Sequence, residues 1–164
     1  MRAMTLLRRI RLLILLLSLS AGGCAGLTAT DTDVIARSTR GAFDDVKERL
    51  VFALENRGLV ITYTAKVGDM LDRTGRDIGE TAGLYGKAEV LTFCSAAISR
   101  ETMVSDAANI AHCPYAIAVY TLAAESDRVY LAYRVPGRGS GGGSGTALAK
   151  VQRLLDALVR EAAP

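Results

Sequence analysis

Two β-rich runs, 115–122 and 129–135, stand on either side of the short polar segment Ala124-Glu125-Ser126-Asp127-Arg128. A link this short joins only antiparallel neighbours, because a parallel return needs a crossover of a dozen residues or more. In the first run Ile117, Val119 and Thr121 point to one face, and Ala116, Ala118, Tyr120 and Leu122 to the other. Both sets are mostly apolar. The run is therefore expected to be a central strand of a sheet with helices on one side.

The front of the chain reads as an export signal over residues 1–23. Arg2, Arg8, Arg9 and Arg11 precede a nearly unbroken leucine and isoleucine run from Leu12 to Leu19. That run falls well short of the ~20 residues that span a bilayer. Ala21-Gly22-Gly23 then leads into Cys24, the small-residue cleavage pattern of a signal peptide. Ala-Gly-Gly-Cys resembles a bacterial lipobox, which implies lipidation of Cys24 as the first mature residue. By resemblance to Gram-negative lipoproteins, Ala25 in place of Asp implies a periplasmic domain anchored to the outer membrane.

Removing the signal takes away four Arg and no acid, so Lys+Arg falls from 20 to 16 against 17 Asp+Glu. The mature chain is then near −1. The basic balance belongs to the targeting segment and gives no ground for a nucleic-acid partner. Roughly 140 residues remain, enough for one domain with its own core.

Residues 24–32 read as a small, polar tether. A short strand over Val34–Thr39 follows, then a helix from about Ala42 to Asn56. Phe43, Val46, Leu50 and Leu54 form its stripe, and Gly58 its stop. Leu59 to Val67 alternates, which sets Leu59, Ile61, Tyr63, Ala65 and Val67 inward. A weaker helix near 69–78 contains Gly75, and the third strand runs from Lys87 to Cys94. Ser95 to Ala111 reads as one helix. Residues 137–145 form a Gly/Ser linker, and 146–164 a closing helix with Leu148, Val151, Leu154, Leu155, Leu158 and Val159 buried. The order is βαβαβαββα. The expected fold class is α+β, a single domain over 33–136 with a mainly antiparallel sheet and helices packed on one face.

Several short stretches then recur in a recognisable frame. They are Phe43, Val46, Leu50, Leu54 and Gly58; Glu89-Val90-Leu91-Thr92-Phe93-Cys94; Asn109-Ile110-Ala111-His112-Cys113-Pro114-Tyr115; and Tyr133-Arg134. This frame resembles the domain-of-unknown-function family DUF302 over roughly residues 33–136. The resemblance implies a compact, often oligomeric α+β sandwich and carries no established reaction, substrate or cofactor. Widespread members have Asn-Pro where this chain has Cys94-Ser95.

With Cys24 assigned to lipid, Cys94 and Cys113 are left, and an even pair in an exported chain reads as a structural disulfide. The same pair, with His112 beside Cys113, is also the candidate for thiol-redox chemistry, since an adjacent imidazole lowers a thiol pKa. The chain has one His and no Cys-x-x-Cys, so no metal centre is assigned. Copper(I) held by the two thiolates and a Met is the one soft-ligand arrangement left open. Gly137 to Gly142 fits G-x-G-x-x-G, but no second parallel strand follows to complete a dinucleotide site, so no cofactor is assigned.

Tyr63, His112, Tyr120, Tyr133 and Arg134 are the candidate ligand-binding residues, with Arg134 as an anion partner. Tyr is also simply favoured on strands. Asp106 and Asn109 serve equally as helix-end polar residues. No Ser-His-Asp order or carboxylate pair emerges. The leading expectation is a lipid-anchored, non-enzymatic module that binds a small ligand or a partner. The alternatives are a thiol-redox protein and a homo-oligomer paired through an exposed sheet edge or face.

Overall fold

The computed structural model describes residues 33–80, 82–137 and 142–164. The expected signal, Cys24, the tether and residues 138–141 lie outside them. Among the described residues, no helix is long and apolar enough to cross a membrane. Thr32–Pro164 form one compact unit.

Five strands make one fully antiparallel sheet in the order β1-β5-β4-β3-β2. They are β1 (Val34–Arg40), β2 (Val60–Ala65), β3 (Tyr85–Cys94), β4 (Tyr115–Leu122) and β5 (Glu125–Arg134). The tyrosine-rich run at 115–122 is the middle strand, as its two apolar faces require. The turn after it is tighter than expected. Ala123 and Ala124 alone join β4 to β5, and most of the polar segment lies inside β5.

Helix α1 (Phe43–Glu55) buries Phe43, Val46, Leu50, Ala53 and Leu54. Gly58, at φ +65°, takes the left-handed position after the helix. The Leu59 N–H can then donate back to the Leu54 carbonyl at 3.0 Å. Helix α2 (Val67–Asp77) buries only Gly68. Helix α3 (Ala96–Ser105) is followed by a 3-10 turn, Ala107–His112. The single helix expected over 95–111 is thus broken at Asp106, whose backbone is extended and whose carboxylate accepts from the Ala108 N–H at 2.9 Å. Helix α4 (Gly142–Ala162) starts earlier than expected. Residues 142–145 belong to it rather than to a linker, because Ser144 is buried against the 3-10 turn.

The core lies between one sheet face and α1 plus α4. Leu91, Phe93, Ile117, Val119, Val129 and Leu131 meet Val46, Leu50 and Leu54 from α1 and Val151, Leu158 and Val159 from α4. A fully buried aliphatic or aromatic side chain contributes about 1.5–3 kcal/mol, so this face carries most of the fold's stability. The opposite residues of β4 and β5 are only half-buried.

The inward assignment of Tyr63 fails. A bulge between Ile61 and Tyr63 shifts the register of β2, with the Thr62 hydroxyl donating to the Thr92 carbonyl at 3.1 Å. Tyr63 is left 66% exposed, because one extra residue reverses the side-chain alternation beyond it. A second bulge lies between Tyr85 and Lys87. A Cβ on Gly86 would stand 2.8 Å from Thr121 Oγ1, so any larger residue there must displace the Thr121 side chain. That hydroxyl accepts from the Lys87 N–H at 3.0 Å, which satisfies buried Thr121.

Candidate functional site

The register fixes what the uncovered sheet face presents. Ala36 pairs with Ala132, Ala132 with Ala118, and Ala118 with Val90. These four small residues therefore form a straight row across four strands. Toward one end of the sheet the next row holds Ser38, Tyr130, Tyr120 and Ala88. Toward the other end lie Val34, Arg134 and Ala116. Alternation alone puts these rows on the side away from the core.

A cleft of about 750 Å³ opens at the Arg134 end, with Val90, Ala116, Ala118 and Ala132 in its lining. It curves round the end of the sheet. There it meets His112 and Pro114 before β4, Asp33 and Val34 at the start of β1, and Val135 to Gly137 after β5. Tyr115, Tyr133 and Leu155 reach it from the covered layer. The Arg134 side chain is exposed and makes no hydrogen bond or ion pair with another described residue. The Tyr133 hydroxyl is buried without a hydrogen-bond partner among the described residues. Burial pushes its phenol upward, with the charge of Asp156 adding to the shift and Arg160 and Arg37 opposing it.

The structure thus brings together three of the five expected ligand residues, His112, Tyr133 and Arg134. Tyr120 is not among the cleft's lining residues. It stacks on Tyr130 at 5.1 Å between centroids with 10° between planes, and meets Tyr85 edge-on at 5.4 Å. Burial raises the Tyr120 phenol, and Tyr85 adds to the shift. The Tyr130 hydroxyl donates to Glu125 at 2.7 Å, a bond that raises its pKa. Tyr63 lies on edge strand β2, outside the cleft.

Cys94 ends β3, and Phe93 pairs with Tyr115, which carries the two cysteines to the same end of the sheet. Their sulfurs stand 2.7 Å apart as two free thiols. The Ser99 hydroxyl lies 3.6 Å from the Cys113 sulfur and donates to the Tyr115 hydroxyl at 3.2 Å. Burial, and then the sulfur contact with Cys113, pushes the Cys94 thiol up to about 11. A thiol so protonated is a poor nucleophile near neutral pH. Tyr115 is likewise raised by burial, with its hydrogen bonds to Ser99 and Thr102 pulling the other way. No cluster of three or more His, Cys, Asp or Glu with metal-binding placement occurs among the described residues.

One polar network was not legible in advance. The Asn109 amide donates to the Thr102 carbonyl at 2.8 Å and to Ser144 Oγ at 3.0 Å. It ties the end of α3 to the start of α4 and holds the segment that delivers His112. Helix α3 turns Ser99 and Thr102 inward and leaves Val104 79% exposed. Its weakly patterned sequence gives no sign of that inversion.

The fold is an α+β layer pair, a five-stranded antiparallel sheet with helices on one side. The profile of the family described as Domain of unknown function DUF302 matches residues 35–160. The chain belongs to that family, and the match takes in α4 as well as the sheet. The fold is similar to the crystal structure of an uncharacterized conserved DUF302 protein from Bacillus stearothermophilus. That likeness has a TM-score of 0.66 at 14% identity, covering 80% of this chain and 98% of the other. No curated protein matches the chain.

Proposed function

We propose that this is an exported, lipid-anchored, non-enzymatic domain of the periplasm, most simply at the outer membrane, that binds a small ligand in the cleft beside Arg134. The observation that carries the reading is that His112 and Arg134 line one cleft floored by small apolar residues. Such a mixture, apolar lining with a few convergent polar groups, is what small-molecule sites present. The Arg-rich leader, the leucine run and Cys24 support export and anchoring. A thermal-shift screen of the purified full chain against chemically diverse small molecules tests the binding. Saturable stabilisation by at least one compound is expected, weakened by a substitution at His112 or Arg134. No stabilisation by any compound would overturn the reading.

Within this reading Cys94 and Cys113 form a structural disulfide in the oxidising periplasm. The thiols already stand in reach of one another, and closing this loop would add about 3 kcal/mol on the chain-entropy account. The contact between the sulfurs of these two partly buried residues also favours a second reading, thiol-redox exchange at Cys113 with Cys94. A reduction potential below about −300 mV marks the bond as structural and removes that second reading.

A further inference from the structure

We infer that the cleft's ligand is a small aromatic monocarboxylate, lying flat on the alanine row with its carboxylate on Arg134. The inference rests on the cleft being a binding site at all, and it adds the ligand's chemistry. The floor is one side chain deep, because Ala132, Ala118 and Val90 follow one another across the register while the rows on either side carry Tyr130 and Arg134. A shallow trough on a sheet accepts a flat body and leaves a thick one standing in water.

The two ends of the trough differ in kind. At one end Tyr120 and Tyr130 are stacked across adjacent strands. These two rings stand beyond the cleft's lining residues and bound the small-residue floor in that direction. At the other end stands Arg134, a planar fork of donors suited to two-point recognition of a carboxylate. It has no ion pair among the described residues. Tyr130 and Arg134 are four residues apart on one strand, about 14 Å at ~3.4 Å per residue. That span holds a two-ring aromatic acid between wall and fork. Asp33, also in the lining, disfavours a dianion at the same end.

The test is a residue-resolved NMR titration of the purified full chain with 2-naphthoate, 2-naphthamide and decanoate. Saturable shifts at Ala116, Ala118 and Ala132 with 2-naphthoate are expected, at least about tenfold tighter than with the amide. Arg134→Gln should erase that preference, and Ala118→Phe should fill the trough and abolish binding. Circular dichroism and Tm, both unchanged in each variant, show that the fold is kept. Equal binding of the amide, or tighter binding of decanoate, would overturn the carboxylate or the aromatic assignment while leaving the cleft as a site. No shift with any of the three, where another class of compound still stabilises the chain, would overturn the ligand class alone. Shifts of the same residues on raising protein concentration without ligand would show a second copy on this face and overturn the inference.

Discussion

Strands β4 and β5 present two faces built from alternate residues of the same eight to ten positions, and the faces are chemically unlike. The covered one is Ile117, Val119, Val129 and Leu131, each fully buried under α1 and α4. The uncovered one is Ala116, Ala118, Tyr120, Tyr130 and Ala132, half-buried. The first set is large, branched and close-packed. The second is small in the middle and aromatic on one side, which leaves a hollow where a uniform apolar face would not. A face selected only for packing would fill that hollow, because apolar contact stabilises in proportion to the area removed from water. The difference between the faces therefore separates what folds this chain from what it offers to a ligand.

The largest expected effect is on the covered side. Leu131→Ala should cost about 2–5 kcal/mol in urea unfolding, the range for deleting a buried leucine side chain. Its neighbour Ala132→Ser, on the other face, should stay within about 0.5 kcal/mol of the parent. Similar costs at the two positions would break the comparison. Next is Asn109→Ala, expected to cost about 1–3 kcal/mol. It strips partners from the Thr102 carbonyl and buried Ser144, and the loss should appear in the same unfolding curve. Gly86→Ala should cost about 1–3 kcal/mol, because the new Cβ drives Thr121 away from the Lys87 N–H.

A smaller effect is one of pH. In the reduced protein the Cys94 thiol is held at about 11 against an ordinary 9.0, so the fold favours its protonated form. The contribution is present below pH ~9 and lost as pH rises toward 11. Alkylation of Cys94 by iodoacetamide should accordingly climb through that window. Half-maximal labelling near pH 9 would contradict the burial of this thiol. After oxidation the pair should give no labelling at any pH, which intact mass with and without reductant reads directly.

Much of this architecture was legible in the chain. The hairpin at 115–135, the α1 stripe and the one-sided helical cover follow from alternation and helical spacing, because burial imposes those periods directly. The misses share a cause. Tyr63 was misplaced by a bulge, the helix over 95–111 is cut by the Asp106 side chain, and α4 begins inside a Gly/Ser run because Ser144 bonds to Asn109. Each rests on a single contact between distant residues or a local hydrogen bond, which no periodicity records. The site divides the same way. His112, Tyr133 and Arg134 could be named from their chemistry. The alanine floor could not, because a small residue announces a cavity only when its cross-strand neighbours are known.

The most direct test of the two-face account is a substitution scan of residues 129–134, each variant read for urea stability and for binding of 2-naphthoate. The account requires stability losses at Val129, Leu131 and Tyr133, and binding losses with stability kept at Ala132 and Arg134. Losses of both kinds falling on the same residues, without regard to their alternation along β5, would contradict it.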